Sequence, residues 1–211
     1  MTGSRRWRLT GLAVAAVLLA ACSTVPPADV SQAQRQALYD TRSDGLKSHG
    51  SWVLQGRLAV RNDDDGGSGT FRWRAEPGAS RMDFHGALGR GAWRLVANGG
   101  GATLDFADGA SYYAATVGEL VSDQVGWKIP IDSLTWWVRG LAAPERYRQR
   151  LLDERGRLER LEQGGWVIEY GRYTTVDGLD LPTSVTARQR GRVVKLAVKD
   201  WQFPNASGGG D

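Results

Sequence analysis

From Trp52 onward, apolar residues recur at every second position. Leu54, Gly56, Leu58 and Val60 share one face of Trp52–Arg61. In Thr70–Ala75, Phe71, Trp73 and Ala75 point one way and Arg72 and Arg74 the other. Met82 and Phe84 alternate in Arg81–His85, Trp93 and Leu95 in Ala92–Ala97, and Ala102, Leu104 and Phe106 in Ala102–Ala107. Side chains of a strand alternate between its faces, so each segment reads as a strand buried on one side. In succession they predict an antiparallel meander. Ala110–Ala115 is a sixth strand or an edge. After Pro144 the pattern resumes in Tyr147–Leu152, Leu158–Gln163, Trp166–Arg172, Thr183–Gln189 and Val193–Asp200. Glycine-bearing turns at Glu154–Gly156, Gly164–Gly165, Asp177–Gly178 and Arg190–Gly191 separate them, as tight hairpins prefer.

Between these runs the period changes. Thr116–Val125 predicts a helix with Val117, Leu120, Val121 and Gln124 on one side. Gly126–Gly140 follows and holds three of the nine tryptophans. Pro130 biases Ile129 toward an extended conformation. Asp132 can then cap a short helix whose Leu134, Trp137, Val138 and Leu141 form one apolar face. Gly140 stands where that helix should stop. Upstream, the polar segment Val30–Ser48 can also be helical, with Ala33, Ala37 and Leu38 together; Gly45 works against it.

The sum is a mainly β chain with some α: a sheet of about ten or eleven strands, long enough to curl toward a barrel, with helices over one side. Its concave face is expected to carry Phe71, Trp73, Met82, Phe84, Trp93 and Leu95 from the first half, and Trp166, Ile168, Tyr170, Leu196 and Val198 from the second. So much aromatic surface needs a filler: the Gly126–Gly140 helix, an apolar ligand, or both.

Charge alters the picture only at the N-terminus. The 211 residues carry 27 basic and 23 acidic side chains, a formal +4. Arg5, Arg6 and Arg8 lie in the first 21 residues, which contain no acid; without them 24 bases face 23 acids, a net of +1. That balance gives no general electrostatic claim on nucleic acid or an anionic membrane. The arginines precede the apolar run Gly11–Ala21, the arrangement of a secretory signal. The run ends Leu19-Ala20-Ala21-Cys22 and resembles the lipobox of bacterial lipoproteins, which implies that Cys22 is lipidated and becomes the mature N-terminus. Cys22 is the sole cysteine, so it has no partner for an internal disulfide. Ser23 rather than Asp follows it, which by the same resemblance implies export to the outer membrane of a Gram-negative cell. Residues 22–29 then read as a lipid-anchored tether, 30–205 as one domain, and 206–211 as a loose tail.

Catalytic chemistry finds little support. The only histidines are His49 and His85, and no nucleophile elbow, zinc-binding helix, phosphate loop or Cys/His metal spacing occurs. The three aspartates at 63–65 lack the alternation and distal Glu of a calcium loop, and Asp105 and Asp108 flank a turn. The reading is therefore a non-enzyme without cofactor or metal.

The residues Gly126-Trp127-Lys128-Ile129-Pro130-Ile131-Asp132-Ser133-Leu134, with Trp137 and Gly140, resemble a segment of the LolB family of outer-membrane lipoprotein receptors. The resemblance extends to Gly56–Val60, Phe71-Arg72-Trp73, Val194-Lys195-Leu196 and Trp201, and covers most of Trp52–Phe203 as well as the lipobox. It implies a half-open antiparallel barrel lidded by helices, with an apolar cavity for acyl chains. Phe71, Trp73, Met82, Phe84, Trp93, Leu95, Trp127, Leu134, Trp137, Val138, Trp166, Ile168, Tyr170 and Leu196 are its candidate lining. It also implies a monomeric receptor that accepts acylated lipoproteins from the soluble periplasmic carrier LolA and inserts them among outer-membrane phospholipids. A protruding loop carries a membrane-contacting leucine in the family. Here it matches His85–Gly89, with Leu88 the candidate and Ala87 where the family often has Pro. The alternatives are a lipoprotein that shuttles a free lipid or glycolipid, and a structural lipoprotein with a solid interior.

Overall fold

The computed structural model describes residues 30–62, 66–87 and 91–204. The signal segment, Cys22, the tether, the aspartates at 63–65, Leu88 and the 206–211 tail lie outside the described residues.

The strands are β1 (Trp52–Arg61), β2 (Gly66–Glu76), β3 (Ala79–Gly86), β4 (Trp93–Asn98), β5 (Gly101–Phe106) and β6 (Ser111–Ala114) in the first half. After the helices α2 (Val117–Gln124) and α3 (Ile131–Trp137) come β7 (Tyr147–Leu152), β8 (Leu158–Gln163), β9 (Trp166–Tyr170), β10 (Tyr173–Val176), β11 (Leu179–Pro182), β12 (Ser184–Gln189) and β13 (Arg192–Gln202). Helix α1 (Gln32–Ser48) precedes them all.

Eleven strands form one sheet in the order β6-β5-β4-β3-β2-β1-β13-β12-β9-β8-β7. Every pair is antiparallel, and the first strand pairs with the last, Leu58 opposite Leu196 and Val60 opposite Val194. The edges β6 and β7 do not pair, so the sheet curls without closing, and the predicted half-open barrel is observed. The chain passes from one edge to the other through α2 and α3. At Gln55/Gly56 the register slips by one residue of β13. A Cβ on Gly56 would lie 2.2 Å from the Ala197 carbonyl oxygen, so only glycine fits this bulge.

The alternation predicts the buried face correctly. Phe71, Trp73 and Ala75 are buried while Arg72 and Arg74 are exposed, and Met82, Leu95 and Leu104 stand in line across β3, β4 and β5 with almost no exposure. Strand β2 begins four residues earlier than expected: Gly66–Gly69 pair with β1 instead of turning. Tyr173–Pro182 forms a separate two-stranded hairpin, β10–β11, where only the Asp177–Gly178 turn was anticipated.

Helix α1 is present, capped by Ser31, whose hydroxyl accepts from the Gln34 amide while the Gln34 side chain accepts from Ser31 N–H. Its buried residues are Tyr39, Arg42, Ser43 and Leu46, whereas Leu38 is exposed, so the expected Ala33/Ala37/Leu38 face is corrected. Gly45 is needed: a Cβ there would meet Leu179 Cδ2 at 2.8 Å. In α3 the N-cap is Pro130, and Asp132 lies inside the first turn with no capping bond, which corrects the expected Asp132 cap. The apolar face Leu134, Trp137, Val138 and Leu141 is buried as predicted. Gly140, at φ +72°, ends the helix: its N–H donates to Trp137 O (2.9 Å) and that of Leu141 to Trp136 O (3.1 Å). This pair of bonds satisfies the last carbonyls in a left-handed close. Among the described residues no helix is long and apolar enough to cross a membrane.

Candidate functional site

Two covers lie on the concave face. One is α2 and α3, with α3 reaching from the first-half strands to Gln163 of β8 and Trp166 of β9. The other is α1 and the β10–β11 hairpin, whose Leu46 and Leu181 have no exposure.

Beneath α2 and α3 is a cavity of about 30 Å³, lined only by hydrophobic side chains. The sheet contributes Leu58, Phe71, Trp73, Met82, Trp93, Val185, Val194 and Leu196. Val121 comes from α2; Trp127, Ile129, Ile131, Leu134 and Val138 come from α3 and the segment before it. A site of this size could seat about one or two waters, but water needs polar partners and the lining offers none, so the cavity is dry. Pockets that hold whole small molecules run to roughly 300–1,000 Å³. At about 30 Å³ the space is far smaller than that, because side chains of α2, α3 and the segment before α3 fill most of the volume against the sheet.

Eight of the fourteen candidate lining residues meet here: Phe71, Trp73, Met82, Trp93, Trp127, Leu134, Val138 and Leu196. Phe84 lies beside them, stacked on Trp93 (5.3 Å between centroids) and edge-on to Trp127 (5.1 Å). Leu95 is buried in the sheet between Met82 and Leu104. Trp137 turns toward Trp166 (6.3 Å), Tyr170 lies beside Tyr173 of the hairpin (6.3 Å), and Ile168 is fully buried. These six do not line the cavity. Leu58 already shared an apolar face read from alternation, and Val194 stands two residues before Leu196 on the same side of β13. Ile129 and Ile131 were missed because they flank Pro130 without a helical or strand period.

What holds the covers is partly polar. Arg42 of α1 is buried and donates to the carbonyls of Arg139 (3.3 Å), Gly140 (2.5 Å) and Asp180 (3.1 Å). Arg139 is also buried and donates to the carbonyls of Thr135 (3.1 Å) and Leu46 (3.4 Å). Each guanidinium therefore supplies donors and positive charge where helices leave carbonyls free. Aromatic rings cover their faces, Tyr39 and Tyr173 on Arg42, Trp52 and Trp136 on Arg139. Among the described residues neither forms an ion pair. Burial lowers the Arg139 pKa to about 10, which leaves it charged at neutral pH. Gln163, 2 % exposed, ties α3 to β8: its Oε1 accepts from Trp137 Nε1 and Ala143 N, and its Nε2 donates to Ala143 O and Glu145 O.

A half-open antiparallel sheet with a dry, apolar cavity under a helical cover defines the class of fold. Residues 50–201 match the family described as outer membrane lipoprotein LolB. The outer-membrane lipoprotein LolB of Pseudomonas aeruginosa strain LESB58 is 37 % identical over 198 residues, covering 93 % of this chain and 97 % of the relative. That of Pseudomonas putida strain W619 is 37 % identical over 164 residues, covering 78 % and 80 %. A solved domain of Vibrio parahaemolyticus named for outer membrane lipoprotein sorting shares the fold at 12 % identity, with a TM-score of 0.50 and coverage of 82 % and 94 %. The chain belongs to the LolB family of outer membrane lipoproteins, a lipoprotein-localisation family.

Proposed function

We propose that this chain, anchored in the outer membrane through lipidated Cys22, accepts acylated lipoproteins from the periplasmic carrier LolA and inserts them into the bilayer. The observation that carries this reading is the dry, wholly apolar cavity between the concave sheet and α3. Each methylene hidden from water is worth about 0.8 kcal/mol, so an acyl chain gains by replacing the α3 side chains in that space. Around the cavity the contact between α3 and the sheet is apolar and non-directional, while Gln163 holds the C-terminal end of α3 to β8, so the apolar part of the surface can exchange for another with α3 still tethered. Such a surface reads chains rather than the protein attached to them, which suits many passengers. No nucleotide motif is present in the sequence, and the transfer runs downhill from carrier to receptor to bilayer. The loop between β3 and β4 carries Leu88, which meets the membrane at release. The protein acts as a monomer.

The test is transfer. LolA is loaded with a labelled lipoprotein and mixed with the chain from Ser23 to Asp211, which contains every described element. The label is expected to pass to this chain and then to liposomes, with delivery to liposomes impaired by Leu88→Glu. If no label passes while a free lipid probe still binds, the protein is an independent lipid carrier. If neither occurs, the interior is structural.

A further inference from the structure

The face of the sheet opposite the cavity holds an open groove of about 790 Å³ across β13, β1, β2, β3 and β4. Its charged lining comprises Arg57, Arg72, Arg81, Arg94 and Lys199 against one acid, Asp83. That is a net of +4 with His85 neutral, whereas the chain beyond the signal segment totals only +1, so the remainder sums to −3. The near-zero overall balance conceals a concentrated positive site.

Asp83 is already engaged, by Arg81 (3.0 Å) and Arg94 (2.7 Å). Arg57, Arg72 and Lys199 are exposed and have no acidic partner among the described residues. Arg72 stands directly opposite Asp83 across β2 and β3, but that carboxylate is already bonded by Arg81 and Arg94, so Arg72 adds a further positive charge beside an acid that is engaged. Strands β1 and β2 do not need charge to deter edge-to-edge pairing, because both lie inside the sheet. Lys199 follows Lys195 and Ala197 on the outward face of β13 and is the residue left without a partner at the Gln55/Gly56 bulge.

The groove also has a direction. His85, one residue before the end of β3, forms part of it, and Arg57 lies in the same cross-strand row through Thr70. His85 is two residues from Ala87, where the β3–β4 connection begins, and Arg57 lies two strand spacings from His85, about 10 Å and comparable to a Debye length at physiological salt.

We propose that this groove binds the phosphate headgroups of anionic phospholipids and turns the β3–β4 loop toward the bilayer. The proposal rests on the reading above for the role of that loop. Two guanidinium planes and an ammonium offer the donors that phosphate oxygens accept, and each cation close to an anionic surface strengthens binding about fivefold.

The experiment is co-sedimentation of the Ser23–Asp211 chain with phosphatidylcholine vesicles, with and without phosphatidylglycerol. Binding is expected to rise with phosphatidylglycerol and to fall with salt. The double variant Arg57→Gln/Arg72→Gln should lose about 25-fold on anionic vesicles only, with an unchanged melting curve, and Arg57→Lys/Arg72→Lys should retain most of the binding. Leu88→Glu separates the two readings, since it should weaken association with both kinds of vesicle. If it does not, while the Gln variant loses anionic binding, the groove stands and the loop reading falls. If the Gln variant binds anionic vesicles like the parent, the proposal is overturned. Should that variant instead fail only in accepting cargo from LolA, the groove is a docking face for the carrier.

Discussion

Gly140 and Gly78 adopt nearly the same left-handed backbone, φ +72° and +73°, in very different surroundings. Replacing each by alanine separates the conformational cost from the packing cost. An L-residue in this region costs about 1–2 kcal/mol. The restricted unfolded chain returns about 0.4–1 kcal/mol. A Cβ at Gly78 meets nothing within 4 Å, so Gly78→Ala should cost about 1 kcal/mol or less. A Cβ at Gly140 would lie 3.1 Å from Pro182 Cγ, 3.2 Å from Tyr173 Oη and 3.3 Å from Arg42 Nη1. These neighbours are not free to retreat. Arg42 Nη1 is held by two carbonyls, and Tyr173 Oη donates to Leu158 O at 2.7 Å. Overpacking of this kind adds about 1–3 kcal/mol, which brings Gly140→Ala to roughly 2–4 kcal/mol. Urea unfolding followed by tryptophan fluorescence resolves the difference. With a slope of about 2 kcal/mol per molar, the Gly140→Ala midpoint should fall by about 1 M more than that of Gly78→Ala. Equal shifts would refute the reasoning, and would mean that the Arg42–Tyr173–Pro182 cluster yields to an added methyl.

Gln163→Leu should destabilise by about 3–4 kcal/mol, because it strands two buried donors and one buried acceptor and loses a further bond to the part-exposed Glu145 carbonyl; thermal melting measures it, and a loss under 1 kcal/mol would show that other groups compensate. Asp83 provides a pH test. Partial burial works to raise its pKa, but hydrogen bonds and Coulomb attraction from Arg81 and Arg94 outweigh that and lower it. A carboxylate with a lowered folded pKa contributes stability above its unfolded value near 4 and loses it as pH falls through the folded value. Asp83→Asn should therefore cost about 0.5–1 kcal/mol at neutral pH, and denaturation curves of variant and parent should converge below about pH 4.

The elements that alternation or helical periodicity describes were legible in the sequence, because each buries one face against one core. Phe71, Trp73, Met82 and Trp93 announce the concave surface, and Leu134 and Val138 the helix laid on it. What stayed hidden had other causes. Helix α1 docks through Arg42 and Ser43, and no apolar period marks a face that is held by a guanidinium on carbonyls. The β10–β11 hairpin has strands of four residues and a Pro, too short to show a period and easily read as a long turn. Trp166, Ile168 and Tyr170 are as apolar and as buried as Trp73, but which cover lies over which strands depends on where the chain goes after Pro144 and before Trp52. Cross-chain placement of that kind leaves no local trace. Net charge misled for a similar reason: it averages the groove around Arg57 and Arg72 with an acidic remainder.

The first strand of the sheet finds its partner in the last. Until synthesis and export have delivered β13, β1 and β12 each present an unpaired edge at what will be the middle of the sheet. Two half-sheets can form early, each from neighbours in sequence, but joining them closes a loop of nearly the whole chain, a slow and entropically costly step. The folding chain therefore passes through a species with sticky central edges before it reaches the native sheet. A chain cut short anywhere before Arg192 lacks the strand that joins the two half-sheets and so cannot complete the native sheet.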